Sequence, residues 1–91
     1  MIQFHTVTLN SVPLHYGQAP GPGPALVIVH GLTGSHTEFL HLAPELARQA
    51  HVYLPDWRGH GRSGHSQTDY QIADYGSDLI AFCRQTVNNL P

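Results

Sequence analysis

VIVHGLTGSHTEF, residues 27–39, is the stretch from which the rest of the chain is read. The apolar run over residues 25–29 is continuous rather than alternating, the pattern of a strand covered on both faces in a parallel sheet, so a central strand is expected there. His30 and Gly31 end it, and Gly34 follows two residues after Leu32. Ser35 with Glu38 three residues on has the form of a capping box, which opens a helix. A strand, loop and helix in that order set free backbone N–H groups where negative charge is stabilised. The unit is in principle an anion or oxyanion site.

Downstream, Phe39, Leu42, Ala43, Leu46 and Ala47 fall on one helical face, and Pro44 predicts a kink or a restart within it. HVYLP, residues 51–55, reads as the next strand, and the polar, glycine-rich DWRGHGRSGHSQTD, residues 56–69, as a loop. From Tyr70 the pattern is helical again. Ile72, Tyr75, Leu79, Phe82, Cys83, Val87 and Leu90 recur at three- and four-residue steps and make one apolar stripe. Gly76 weakens that helix by about 1 kcal/mol relative to alanine.

Upstream, Ile2, Phe4, Val7 and Leu9 mark a strand, and Asn10-Ser11 separates it from a second over residues 12–16, which predicts a hairpin. Residues 18–24, QAPGPGP, read as a surface connection, because three prolines remove donors and two glycines loosen the backbone. The order is hairpin, strand, helix, strand, helix. Alternation of that kind implies an α/β fold with parallel strands, here four strands and two helices in one unit over residues 1–91.

Composition narrows the function classes. Hydrophobic residues make up 41% of the 91 and charged residues 11%, too apolar for disorder and sparse in surface charge. With four arginines, no lysine and a formal charge of -2, no basic face is available for a nucleic-acid backbone. The opening MIQFHTVTLN has no charged segment ahead of an apolar core, and no apolar run reaches about 18 residues, so neither a signal peptide nor a membrane span is expected. Cys83 alone fits a reducing compartment, with cytoplasm the expected location. Eight histidines make charge and solubility sensitive to mild acid.

The residues that carry a family resemblance are the apolar strand, His30-Gly31, Gly34 and the aromatic Phe39, together with Asp56-Trp57-Arg58-Gly59-His60-Gly61-Arg62-Ser63. The first set resembles the oxyanion loop of α/β-hydrolases, and the second their D-x-R-G-x-G-x-S segment after the fourth strand. The resemblance runs over nearly the whole chain. It implies the N-terminal half of an α/β-hydrolase core acting on esters, epoxides or related substrates in the complete enzyme. It also implies that the backbone N–H of Leu32 donates one oxyanion-hole hydrogen bond, with His30 and Gly31 shaping the loop. The second segment is structural by the same resemblance, its glycines permitting tight turns and its Asp, Arg and Ser bonding loop backbone.

Other readings are weaker. Gly59 to Gly64 matches G-x-G-x-x-G, yet Asp56-Trp57-Arg58 intervene after the strand, and Asp78 falls inside the last helix. Ser63, His60, His65 and Asp56 are triad residue types, but close neighbours on one loop seldom converge. The histidines lack metal-binding spacings, so no metal and no cofactor is expected, and His5, His15, His41 and His51 are read as partly solvated surface groups. None of Ser11, Ser35, Ser63, Ser66 or Ser77 lies in a G-x-S-x-G frame. By the family's strand order, the strand at residues 25–29 neighbours the elbow strand that is not on this chain. The expectation is a chain inactive alone that associates through the open sheet edge, with a second copy or a complementary C-terminal hydrolase half. A non-catalytic, self-associating module derived from the same fold is the alternative.

Overall fold

A computed structural model describes residues 2–31, 34–64 and 72–87. Asn10 and Ser11 both take positive φ, 50° and 65°, as a two-residue hairpin turn matched to strand twist requires. They join β1 (Gln3–Leu9) to β2 (Val12–Ala19), paired antiparallel from Leu9 with Val12 to Gln3 with Gln18. β2 runs three residues beyond the expected 12–16. Gln18 and Ala19 both keep an N–H and pair with Tyr53 and Val52, so the connection starts at Pro20 instead of Gln18.

β3 (Ala25–Val27) and β4 (His51–Pro55) are parallel, Leu26 opposite Val52. The four-stranded mixed sheet has the order β1-β2-β4-β3. The strand expected to be central is therefore at an edge. Among the described residues β3 has β4 as its only sheet neighbour, and its residues are half-buried or exposed. The central apolar strand is β4, in which Val52, Tyr53 and Leu54 are all buried.

Alternation along β4 divides the core. Val52 and Leu54 face Ala19, Ala43 and Ala50, with Leu26, Ile28, Phe39 and Leu46 packed around them. Tyr53 faces the other way, onto Leu9, Val12, Leu14 and Phe82. Each large apolar side chain buried here contributes about 1.5–3 kcal/mol. Helices cover both faces. On the first, Ser35 caps a 3₁₀ turn (His36–Phe39), its hydroxyl accepting the Thr37 N–H, and α1 (Ala43–Leu46) restarts with Pro44 in its first turn, where a missing N–H costs nothing. The side chain of Glu38, the other half of the expected capping box, lies outside the described residues.

On the second face lies α2 (Ile72–Phe82), which continues as a π-helical stretch (Cys83–Val87). Phe82 is its buried apolar anchor, whereas Ile72 is 86% exposed and does not join the core stripe. Leu42 is exposed too, because the restart at Pro44 takes it off the α1 face. Tyr70 and Leu90, at the two ends of the expected helix, lie outside the described residues. None of the described helices is long and apolar enough to cross a membrane.

Candidate active site

The strand ends bring the two sequence motifs together. His30 follows β3 and is buried, and Trp57 follows β4 and grips it twice. The Trp57 backbone N–H donates to His30 Nε2 at 3.0 Å, and the indole Nε1–H donates to the His30 carbonyl at 2.7 Å. Because Nε2 accepts, the ring proton sits on Nδ1, which donates to the Gly31 carbonyl. Both ring nitrogens are thus occupied, and His30 acts as a strut rather than a base. Gly31 is exposed, nothing lies within 4 Å of where a side chain would begin, and its carbonyl accepts the Gly34 N–H at 3.0 Å. Leu32, the residue whose N–H the family resemblance nominates as donor, lies outside the described residues.

Gly31 borders an open cleft of about 370 Å³ lined by His30, Trp57, Ile72, Tyr75 and Gly76. The cleft is at the C-terminal ends of β3 and β4, where α/β sheets bind ligands. Trp57 and Tyr75 meet edge to face, ring centres 5.5 Å apart. The lining of the cleft is mostly apolar.

Beneath it, Asp56 organises the second motif. Its carboxylate is fully buried and accepts the His36 N–H at 2.6 Å, the His36 Nδ1–H at 2.8 Å, the Arg62 N–H at 3.1 Å and the His15 Nδ1–H at 3.2 Å. Burial pushes this carboxyl upward, but the His36 and Arg62 backbone donors and the His36 ring outweigh it and hold the acid below its ordinary range. Gly61 takes φ of 52° against the carboxylate, and any side chain there would collide with it. Ser63 donates its hydroxyl to the Asp56 carbonyl at 2.8 Å and accepts the His15 N–H at 2.9 Å, so its oxygen is committed on both sides. Arg58 closes a two-bond ion pair with Asp78, both contacts 2.7 Å, and Asn10 of the hairpin turn adds a third bond to that carboxylate.

Asp56 and Ser63 do bond loop backbone, as the resemblance implies, and Arg58 ties the loop to α2. His60 donates its ring N–H to the Arg58 carbonyl and His65 lies outside the described residues; among the described residues no triad is assembled around Ser63. His15 departs most from expectation. It is 8% exposed, its ring lies against Phe4 and beside His36, and burial lowers its basicity despite the bond to Asp56. His5 and His41 are exposed and His51 half-buried. The convergence of His15, His36 and Asp56 is invisible to spacing rules, because the three come from separate elements.

Residues 24–89 match the family model of the alpha/beta hydrolase fold. The chain belongs to that family and carries the N-terminal portion of its fold. It is similar to 1H-3-hydroxy-4-oxoquinoline 2,4-dioxygenase of Pseudomonas putida, 35% identical over 78 residues that cover 85% of this chain and 30% of that protein. It is also similar to the soluble epoxide hydrolase of Corynebacterium sp. (strain C12), 34% identical over 89 residues, 98% of this chain and 29% of that protein. The solved structure of the epoxide hydrolase CorEH without ligand superposes with a TM-score of 0.84 at 30% identity, over 92% of this chain and 29% of that one. The chain spans less than a third of these relatives, which include both hydrolases and dioxygenases of one fold.

Proposed function

We propose that the chain supplies the oxyanion-loop part of an α/β-hydrolase acting on esters, epoxides or related bonds, and that it has no turnover of its own. In this reading residues 1–91 form the N-terminal half of the core, and the Leu32 N–H is one of two oxyanion donors. The other belongs to the elbow, and losing one donor of such a pair costs ~10² to 10³ in rate. The observation that carries the reading is the double grip of Trp57 on His30, which fixes Gly31 at the mouth of an apolar cleft. Ser63, held by two hydrogen bonds, offers no nucleophile beside it.

The edge of β3 that is open among the described residues supports association with a complementary C-terminal hydrolase half or a second copy of the chain. The lone Cys83 fits a cytoplasmic setting. Hydrolysis of an activated aryl ester by the chain alone is expected to stay at the buffer rate, and Ser63→Ala to leave it there. Turnover that vanishes in that variant overturns the reading. Light scattering at micromolar concentration is expected to report more than one chain per particle, and a monomer with a cooperative melt overturns the association.

A further inference from the structure

We propose that His15, His36 and Asp56 form a binding site for one divalent transition-metal ion, zinc by donor set, that staples three segments of the chain beneath the oxyanion loop. His15 lies on β2, His36 opens the 3₁₀ turn after the loop, and Asp56 directly follows β4. All three are buried, and their nearest donor atoms lie within 4.8 Å of one another. The His36 and His15 Nδ1 atoms stand 2.8 and 3.2 Å from Asp56 Oδ2. Ligands bound to zinc at 2.0–2.1 Å in a tetrahedron are about 3.3 Å apart, so side-chain movements of about 0.5–1.5 Å, outward at His36 and inward across the widest pair, admit the ion.

Two imidazoles and one carboxylate suit zinc or cobalt and are a poor set for calcium or magnesium, which take oxygen ligands. The carboxylate is already held as a metal-binding one is, with a backbone N–H on each oxygen, from His36 to Oδ1 and from Arg62 to Oδ2. Those bonds occupy one lone pair per oxygen and leave others facing the rings. Protons balance without a co-reactant: each neutral imidazole gives up its Nδ1 proton and takes one at Nε2, so the ion replaces two hydrogen bonds with two coordinate bonds. Phe4 stacks on the His15 ring at 5.5 Å and meets the His36 ring edge-on at 5.7 Å, roofing the pair from the solvent side. One water completes four-coordination.

The test titrates Co²⁺ into the metal-free chain without an affinity tag, followed by competition with Zn²⁺. One Co²⁺ per chain is expected, with the strong visible bands of a four-coordinate site, abolished by equimolar Zn²⁺. His15→Gln and His36→Gln should each weaken binding at least tenfold, whereas His41→Gln, on the exposed surface, should not change it. Unchanged affinity in the first two variants, or only the pale spectrum of six-coordinate cobalt, overturns the proposal. X-ray absorption of the zinc-loaded parent chain decides independently of how the variants fold: two imidazoles in the first shell support the site, and any other number refutes it.

Discussion

Two regions of this small chain treat their surface in opposite ways. Around Asp56, segments from β2, the 3₁₀ turn and the loop after β4 close on one carboxylate, and among the described residues no buried side-chain nitrogen or oxygen lacks a partner. Around β3 and the outer side of α2, apolar groups stay in solvent: Val29, Ile72 and Ile80 are exposed, and nothing lies within 4 Å of a side chain placed at Gly76. Ile72, Gly76 and Ile80 recur every four residues and share one helix face. The difference separates a self-contained frame from an exposed apolar face. A polar network of this density specifies one arrangement of loops on its own, whereas an exposed apolar helix face and an open sheet edge add little to the stability of the chain that carries them.

The comparison breaks most severely at its polar centre. Asp56→Ala strands the His36 and Arg62 N–H groups and two imidazoles, and each buried donor without an acceptor costs about 1–3 kcal/mol. For a domain this size that removes cooperative folding, and a urea transition by circular dichroism within about 1 kcal/mol of the parent contradicts the role of Asp56 as frame. Asp78→Asn is next. It takes the negative charge from the two bonds that Arg58 makes to Asp78, and a loss of about 1.5–3 kcal/mol is expected from the shift in urea midpoint.

Acid acts on the same centre more gently. The folded-state pKa of His15 is below its ordinary value, so the folded chain binds fewer protons than the unfolded one, and stability from this group is complete above about pH 6.5 and falls below it. Asp56 is also shifted down. Its contribution holds above about pH 3.9 and is lost as pH drops through the lower folded value. Melting temperature in metal-free buffer should therefore decline from pH 6.5 downward and again in strong acid, and a flat profile between pH 7 and 5 contradicts the His15 assignment. The smallest effect on folding belongs to the open face. Ile80→Ser should change stability by no more than about 0.5 kcal/mol while lowering the particle mass seen by light scattering.

Features written in adjacent residues are legible in the sequence itself. Asn10-Ser11 announces a hairpin, Ser35 a helix start, Pro44 a restart, and the glycines of the second motif a tight loop, because each acts on its own backbone. The place of His30 in the candidate site is legible through its motif, but its engagement by Trp57 is not, since that depends on two strand ends arriving side by side. His15 reads as a surface histidine because alternation along β2 says only which face it takes. Its partners His36 and Asp56 arrive from other elements. Ile72 fails for the converse reason. A helix can carry two apolar faces, and periodicity cannot tell which one this chain covers. The expected central position of β3 rests on its continuous apolar run, and edge or centre is decided by what pairs with it.

Trp57 is the only tryptophan in the chain, and its indole is hydrogen-bonded to the carbonyl of His30 at the wall of the cleft. Emission excited at the red edge, where tyrosine does not absorb, therefore comes from one place, the junction between the two motifs. Occupancy of the cleft, or a partner closing over Tyr75 and Gly31, changes the polarity around that single ring and shifts its colour. The chain carries its own optical gauge of the junction between His30 and Trp57, with no label attached.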